Sequence, residues 1–92
     1  MKKLVEFQKM MREIEERENI FVCKMYAIES RMFTDEHKSD IDFYAVAKEN
    51  NSEKYRAYYY YASTMEKPNY VVCYSREDAY KETRETIAKM SL

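Results

Sequence analysis

The residues of this chain best suited to binding chemistry lie in two neighbouring stretches, DFYAVAKE and EKYRAYYYY. Tyr44, Lys48, Lys54, Arg56, Tyr58 and Tyr60 combine aromatic rings with cations. Tyr and Arg are favoured in the cores of protein interfaces, and Lys suits the wet rim around them. The same pairing serves nucleotides, because ring faces stack on bases while Lys and Arg reach phosphates. Tyrosine also suits any pleated, half-buried strand. The set is therefore a site only where it points away from the core.

Catalytic groups are sparse. A hydrolytic triad or dyad needs a base held beside its nucleophile. The single histidine, His37, falls in the polar run TDEHKSD and reads as a solvated loop residue. Cys23 and Cys73 sit in apolar, strand-like runs and read as buried free thiols. His37 has no Cys or carboxylate companions at ligand spacing, so no metal site is expected. Glu13, Glu15, Glu16 and Glu18 read as a solvated helix face. A small ribonuclease can work with Tyr, Lys, Arg and Glu alone, but it needs a basic surface. Here 16 Lys plus Arg face 17 Asp plus Glu, a net charge of -1. KYRAYYYY shares its aromatic and basic character with the RNA-binding strand of RNA-recognition motifs. It lacks their glycine, and the element order below is not βαββαβ. We expect no catalysis and no cofactor.

Glycine is absent from all 92 residues. Phosphate-cradling glycine loops are thereby excluded. Turns must use Asn, Asp, Ser or the lone Pro68, and any positive φ should fall on Asn or Asp. The start, MKKLVEFQKM, meets charges too soon for a secretory apolar core. No apolar run is long enough for a membrane span. These features fit a cytoplasmic protein with reduced cysteines, since a disulfide would need the two cysteine strands to be neighbours. A Tyr-, Lys-, Glu- and Asn-rich chain without glycine also has the composition of short accessory proteins of phages and mobile elements.

Six elements must position these groups within one α+β domain spanning 1–92. Leu4, Phe7, Met11 and Ile14 share a helical face, widened by Val5 and Met10, which predicts a helix over Lys2–Glu18. Asn19 supplies a stop. Strands are predicted at about Ile20–Glu29, Ile41–Glu49, Glu53–Met65 and Tyr70–Tyr74. Ser75 opens SRED, a capping-box variant, and a helix follows over about Arg76–Met90. Its weak stripe of Tyr80, Thr83, Ile87 and Met90, with Ala79 beside it, fits packing at an edge or completion of an oligomer.

The central hairpin has a register problem. A two-residue loop sets Ala47 against Lys54 and Ala45 against Arg56, an apolar face against a cationic one. A three-residue loop, Asn50–Ser52, pairs Ala47 with Tyr55, Ala45 with Ala57 and Phe43 with Tyr59. One residue of slip exchanges the faces, so the apolar match is expected to win. A five-residue loop preserves the same pairing. The order α-β-β-β-β-α then predicts a two-layer sandwich, a four-stranded antiparallel meander with the N- and C-terminal helices on one face. The other face would show Tyr44, Val46, Lys48, Lys54, Arg56, Tyr58 and Tyr60, with Lys48 facing Lys54. The expected role is a non-catalytic module binding a host or self protein chain, as an inhibitor or as a homodimer. Nucleotide, cyclic-oligonucleotide or single-stranded nucleic-acid binding is the alternative, and no membrane role is expected.

Overall fold

A computed structural model describes residues 2–29 and 41–90. The loop expected around His37 lies outside the described residues. The elements are α1 (Lys2–Glu18), β1 (Ile20–Glu29), β2 (Ile41–Glu49), β3 (Tyr55–Tyr61), β4 (Asn69–Cys73) and α2 (Arg76–Met90). The strands form an antiparallel meander in the order β1-β2-β3-β4. No helix among the described residues is long and apolar enough to cross a membrane.

Local signals at the element ends act as their chemistry requires. Asn19 adopts φ 54°, the left-handed turn that ends α1 without glycine. The Ser75 hydroxyl accepts the Asp78 amide at 3.1 Å and caps α2. In the β2–β3 turn, side chains do the work that glycine does elsewhere. The Glu49 amide donates to the Lys54 carbonyl at 3.0 Å. The Ser52 hydroxyl donates to Glu49 Oε1 at 2.8 Å and accepts the Lys54 amide at 3.0 Å.

That turn sets a register other than the expected one. Asn50 to Glu53 form the loop, so Lys48 pairs with Tyr55, Ala47 with Arg56, Ala45 with Tyr58 and Phe43 with Tyr60. Arg56, Tyr58 and Tyr60 thus share the face of Phe43, Ala45 and Ala47. Lys48 and Lys54 do not oppose each other. The apolar match was the wrong criterion because Arg56 brings its own partners, described below.

The helices lie on opposite faces of the sheet, not on one. Phe7, Met11 and Ile14 of α1 pack with Ile20, Phe43, Ala45, Ala47 and Tyr58. Ala79 of α2 packs with Val46, Ala57 and Cys73. Successive strand residues point to opposite faces, so YAVA in β2 is buried from both sides. The expected outward residues Tyr44 and Val46 are 1% and 0% exposed because α2 covers them. Small residues permit its close approach: Ala79 and Thr83 are buried, and the Thr83 hydroxyl turns back to the Ala79 carbonyl at 2.9 Å. Val5, expected in the α1 stripe, is exposed.

Strict alternation along β1 would set Phe21, Cys23, Met25 and Ala27 on one face and Ile20, Val22, Lys24, Tyr26 and Ile28 on the other, but a bulge at Cys23 exchanges the faces. Pairing with β2 shifts between Val22 and Lys24, so Ile20 and Val22 face α1 together with Met25 and Ala27. Glu15 of α1 accepts the Val22 amide at 2.8 Å beside the bulge. Cys23 is exposed and Cys73 buried. The thiols lie on the two opposite edge strands, so no disulfide joins them.

Candidate functional site

The expected binding set does not form one surface. Tyr44 is buried under α2, and burial pushes its phenol well above the ordinary value, helped by Asp42 and by the hydroxyl contact with Tyr61. Tyr58 is buried on the α1 side, 5.0 Å from the Tyr70 ring. Tyr60 is half-buried and stacks on Phe7 at 6.0 Å. Lys48 donates to the carbonyls of Glu49 at 3.1 Å and Ser52 at 2.8 Å, which ties it to the turn. Lys54 is the exposed member, with its ammonium 6.0 Å from the Tyr74 ring.

Arg56 is buried at the hairpin's α1 face. Its Nε donates to Glu49 Oε2 at 3.0 Å, and one terminal nitrogen donates to Glu18 Oε1 and to the Tyr58 hydroxyl, each at 2.8 Å. The guanidinium also stacks 4.4 Å from the Tyr70 ring centre. Burial alone would favour losing the proton. The bonds to Tyr58, Glu18 and Glu49 outweigh it and hold Arg56 charged. This is a structural clamp. Glu15 and Glu18 are likewise partners of Val22 and Arg56, not a purely solvated face.

An uncovered surface remains where the sheet extends past α2. Among the described residues that helix packs mainly over β2, β3 and β4 and meets β1 through the half-buried Tyr26, leaving the Phe21 end of β1 open on this face. Phe21 on this side is 61% exposed, an unusual state for a strand phenylalanine. Lys24 lies 5.1 Å from the Tyr26 ring centre, and the Arg76 guanidinium lies 5.6 Å from that of Tyr80. The charges of Arg76 and Lys48 reach Cys23, and Arg84 and Tyr80 act on the Tyr26 hydroxyl. Lys24, Lys48, Arg76 and Arg84 therefore border one aromatic flank. None of them takes part in a salt bridge among the described residues, in contrast to Arg56.

Protein-family models, curated proteins and solved structures give no match to this chain. What the flank can do must therefore be read from its own chemistry. It offers rings and cations, which suit an anionic partner carrying apolar or aromatic groups. Among the described residues no His, Cys, Asp and Glu cluster is arranged to hold a metal. Of the expected site only Lys48 reaches this flank. The flank's other residues were not expected, because they come from two distant elements, β1 and α2. A signal was present in α2, where Arg76, Tyr80 and Arg84 recur every fourth residue and so share a helix side.

Cys23 provides an intrinsic probe of the flank. Its sulfur is turned toward backbone, with the thiol 3.8 Å from the Phe21 carbonyl. Burial pushes the thiol above its usual range, although Arg76 and Lys48 pull the other way. Iodoacetamide should modify Cys23 in the folded protein while sparing Cys73. Its rate should keep climbing above a pH of about 8.5, where an ordinary thiol begins to level off. Peptide mass spectrometry across pH checks both. Equal labelling of Cys73 would mean that α2 does not cover β4 as described.

Proposed function

We propose that this chain is a cytoplasmic, non-catalytic binding module whose β1–α2 flank holds an acidic segment of a partner protein. One observation carries this reading: Lys24, Lys48, Arg76 and Arg84, all outside the described salt bridges, gather around the exposed Phe21 and the half-buried Tyr26 and Tyr80. Like charges on one surface repel, and an acidic partner removes that cost while covering the rings. The composition supports an accessory role in a phage or mobile element, inhibiting a host or defence protein. A second copy is one form that the partner can take, since Glu13 and Glu16 on α1 are exposed acids.

A labelled Glu–Tyr copolymer tests the flank by fluorescence anisotropy. Arg76→Glu with Arg84→Glu should weaken binding about tenfold or more, and added salt should weaken it further. Binding that ignores both changes would remove the flank as the site. Sedimentation of the same two proteins reports whether a self-complex depends on these arginines. A second reading, nucleotide binding, is favoured by the cation seated over each of Tyr26 and Tyr80. It predicts a larger thermal shift with mono- and oligonucleotides than with the copolymer.

A further inference from the structure

Among the described residues the sheet has two unpaired edges, β1 and β4, and they are protected unequally. β1 is interrupted by the bulge at Cys23 and carries Lys24 beside it. Both features discourage another strand from pairing. β4 has neither. Its sequence NYVVC contains no charge, and its ladder with β3 runs from Asn69 to Cys73 without a shift. Pro68 precedes the strand and is buried, so it does not shield the edge. Val71 and Val72 point to opposite faces, yet they remain 42% and 39% exposed. An edge strand directs half of its backbone donors and acceptors away from its sheet.

The charge beside this edge selects its occupant. A depression along β4 is lined by Val71, Val72, Cys73 and Tyr74 on one side and by Asp78, Lys81, Glu82 and Glu85 on the other. Three carboxylates thus accompany one ammonium, and none of the three joins a salt bridge among the described residues. Asp78 and Glu82 also act on the buried Cys73 thiol, so their charge reaches the strand itself. Two-fold pairing of β4 with β4 of a second copy would bring two such acidic flanks together. That repulsion disfavours self-pairing.

We infer that the β4 edge accepts an extended segment of another protein as a fifth strand, with Lys or Arg at alternate positions facing α2 and β-branched apolar residues facing the Val72 side. Backbone pairing supplies affinity, and the alternating side chains supply selectivity. This surface is separate from the cationic flank and opposite to it in charge preference, so either can fail without the other.

The probe is the peptide acetyl-VKVKVKV-amide, with acetyl-VEVEVEV-amide as control. The lysine peptide at about 1 mM, a concentration that detects even weak complexes, should shift the NMR amide signals of residues 70–74 and slow their hydrogen exchange. Glu82→Lys with Glu85→Lys should weaken it about tenfold and reverse the preference between the two peptides. A lysine peptide N-methylated at every backbone amide keeps its charge but has no N–H on either edge to extend a sheet, and it should not bind. Equal binding of the methylated peptide would reduce the edge to an electrostatic patch and overturn strand addition. So would unmoved β4 signals, or a preference that survives the charge reversal.

Discussion

Replacing Phe43 with alanine should cost about 3–5 kcal/mol, the range for a buried phenylalanine whose cavity cannot close. Phe43 is fully buried in β2, stacked 5.0 Å from Phe7 of α1 and 6.2 Å from Tyr60 of β3. Those three rings contact one another and join the helix to the hairpin, so removal of Phe43 takes two of their three mutual contacts and leaves a cavity between the elements. A chain of this length is stable by roughly 5–14 kcal/mol, so the loss takes a large part of the total. The midpoint of thermal unfolding should fall on the order of 20 °C, measured by circular dichroism. Val5→Ala in the same helix is the control. Val5 is 60% exposed, so its loss should stay within about 0.5 kcal/mol. A comparable cost at Val5 would mean that α1 is turned about its axis from the described orientation.

The contrast between Phe43 and Val5 also marks where sequence reading works. The stripe Leu4, Phe7, Met11 and Ile14 predicts α1 because helix period is a local property. Asn19 and Ser75 mark helix ends because capping involves adjacent backbone. The four strands and their meander order follow from similar short-range cues. The helix faces do not. Alternation in IDFYAVAKE reads as one apolar and one outward side, yet Tyr44 and Val46 are apolar enough for burial too. Which helix covers which side is decided by packing between distant segments. The β1 pattern misleads in another way, because the bulge at Cys23 exchanges faces halfway along the strand. The cationic flank was only partly legible for the same reason. Lys24 and Tyr26 come from β1, and Arg76, Tyr80 and Arg84 come from α2, some 50 residues later. Nothing local announces that they meet.

The two helices are also offset across the sheet. α1 covers β1 and β2 on one face, and α2 covers β2, β3 and β4 on the other. β2 is thus enclosed, while each outer strand keeps an open side. The open side of β1 is bordered by cations, whereas the β4 edge is bordered mainly by carboxylates. A chain with a net charge of -1 can therefore present two surfaces of opposite sign. Bulk charge does not describe either surface.

Arg56→Met should destabilise the protein by about 2–3 kcal/mol, less than for a fully buried ion pair because both carboxylates keep contact with water. The Arg56 side chain is 11% exposed, against 34% for Glu18 and 22% for Glu49. Methionine preserves much of the stem packing, so the loss reports mainly the clamp. That clamp is also why the apolar register argument fails. A cation on the α1 face looks costly from within the hairpin, but Glu18 lies 38 residues away in sequence and arrives with the helix. If the four groups act together, Glu18→Gln and Glu49→Gln added to Arg56→Met should recover part of the loss, as measured by urea unfolding. Purely additive costs would show that Arg56 acts through packing alone. Acid sensitivity gives an independent check. Hydrogen bonds from Ser52 and then Arg56 hold the Glu49 carboxyl below its usual range. A folded-state pKa below the unfolded value adds stability that is complete above the unfolded pKa and is lost as pH falls through the folded one. The wild-type protein should therefore lose stability on acidification through this group, and Arg56→Met should lose less over the same interval. Ser52 still holds Glu49 in that variant, so the acid dependence should shrink without vanishing.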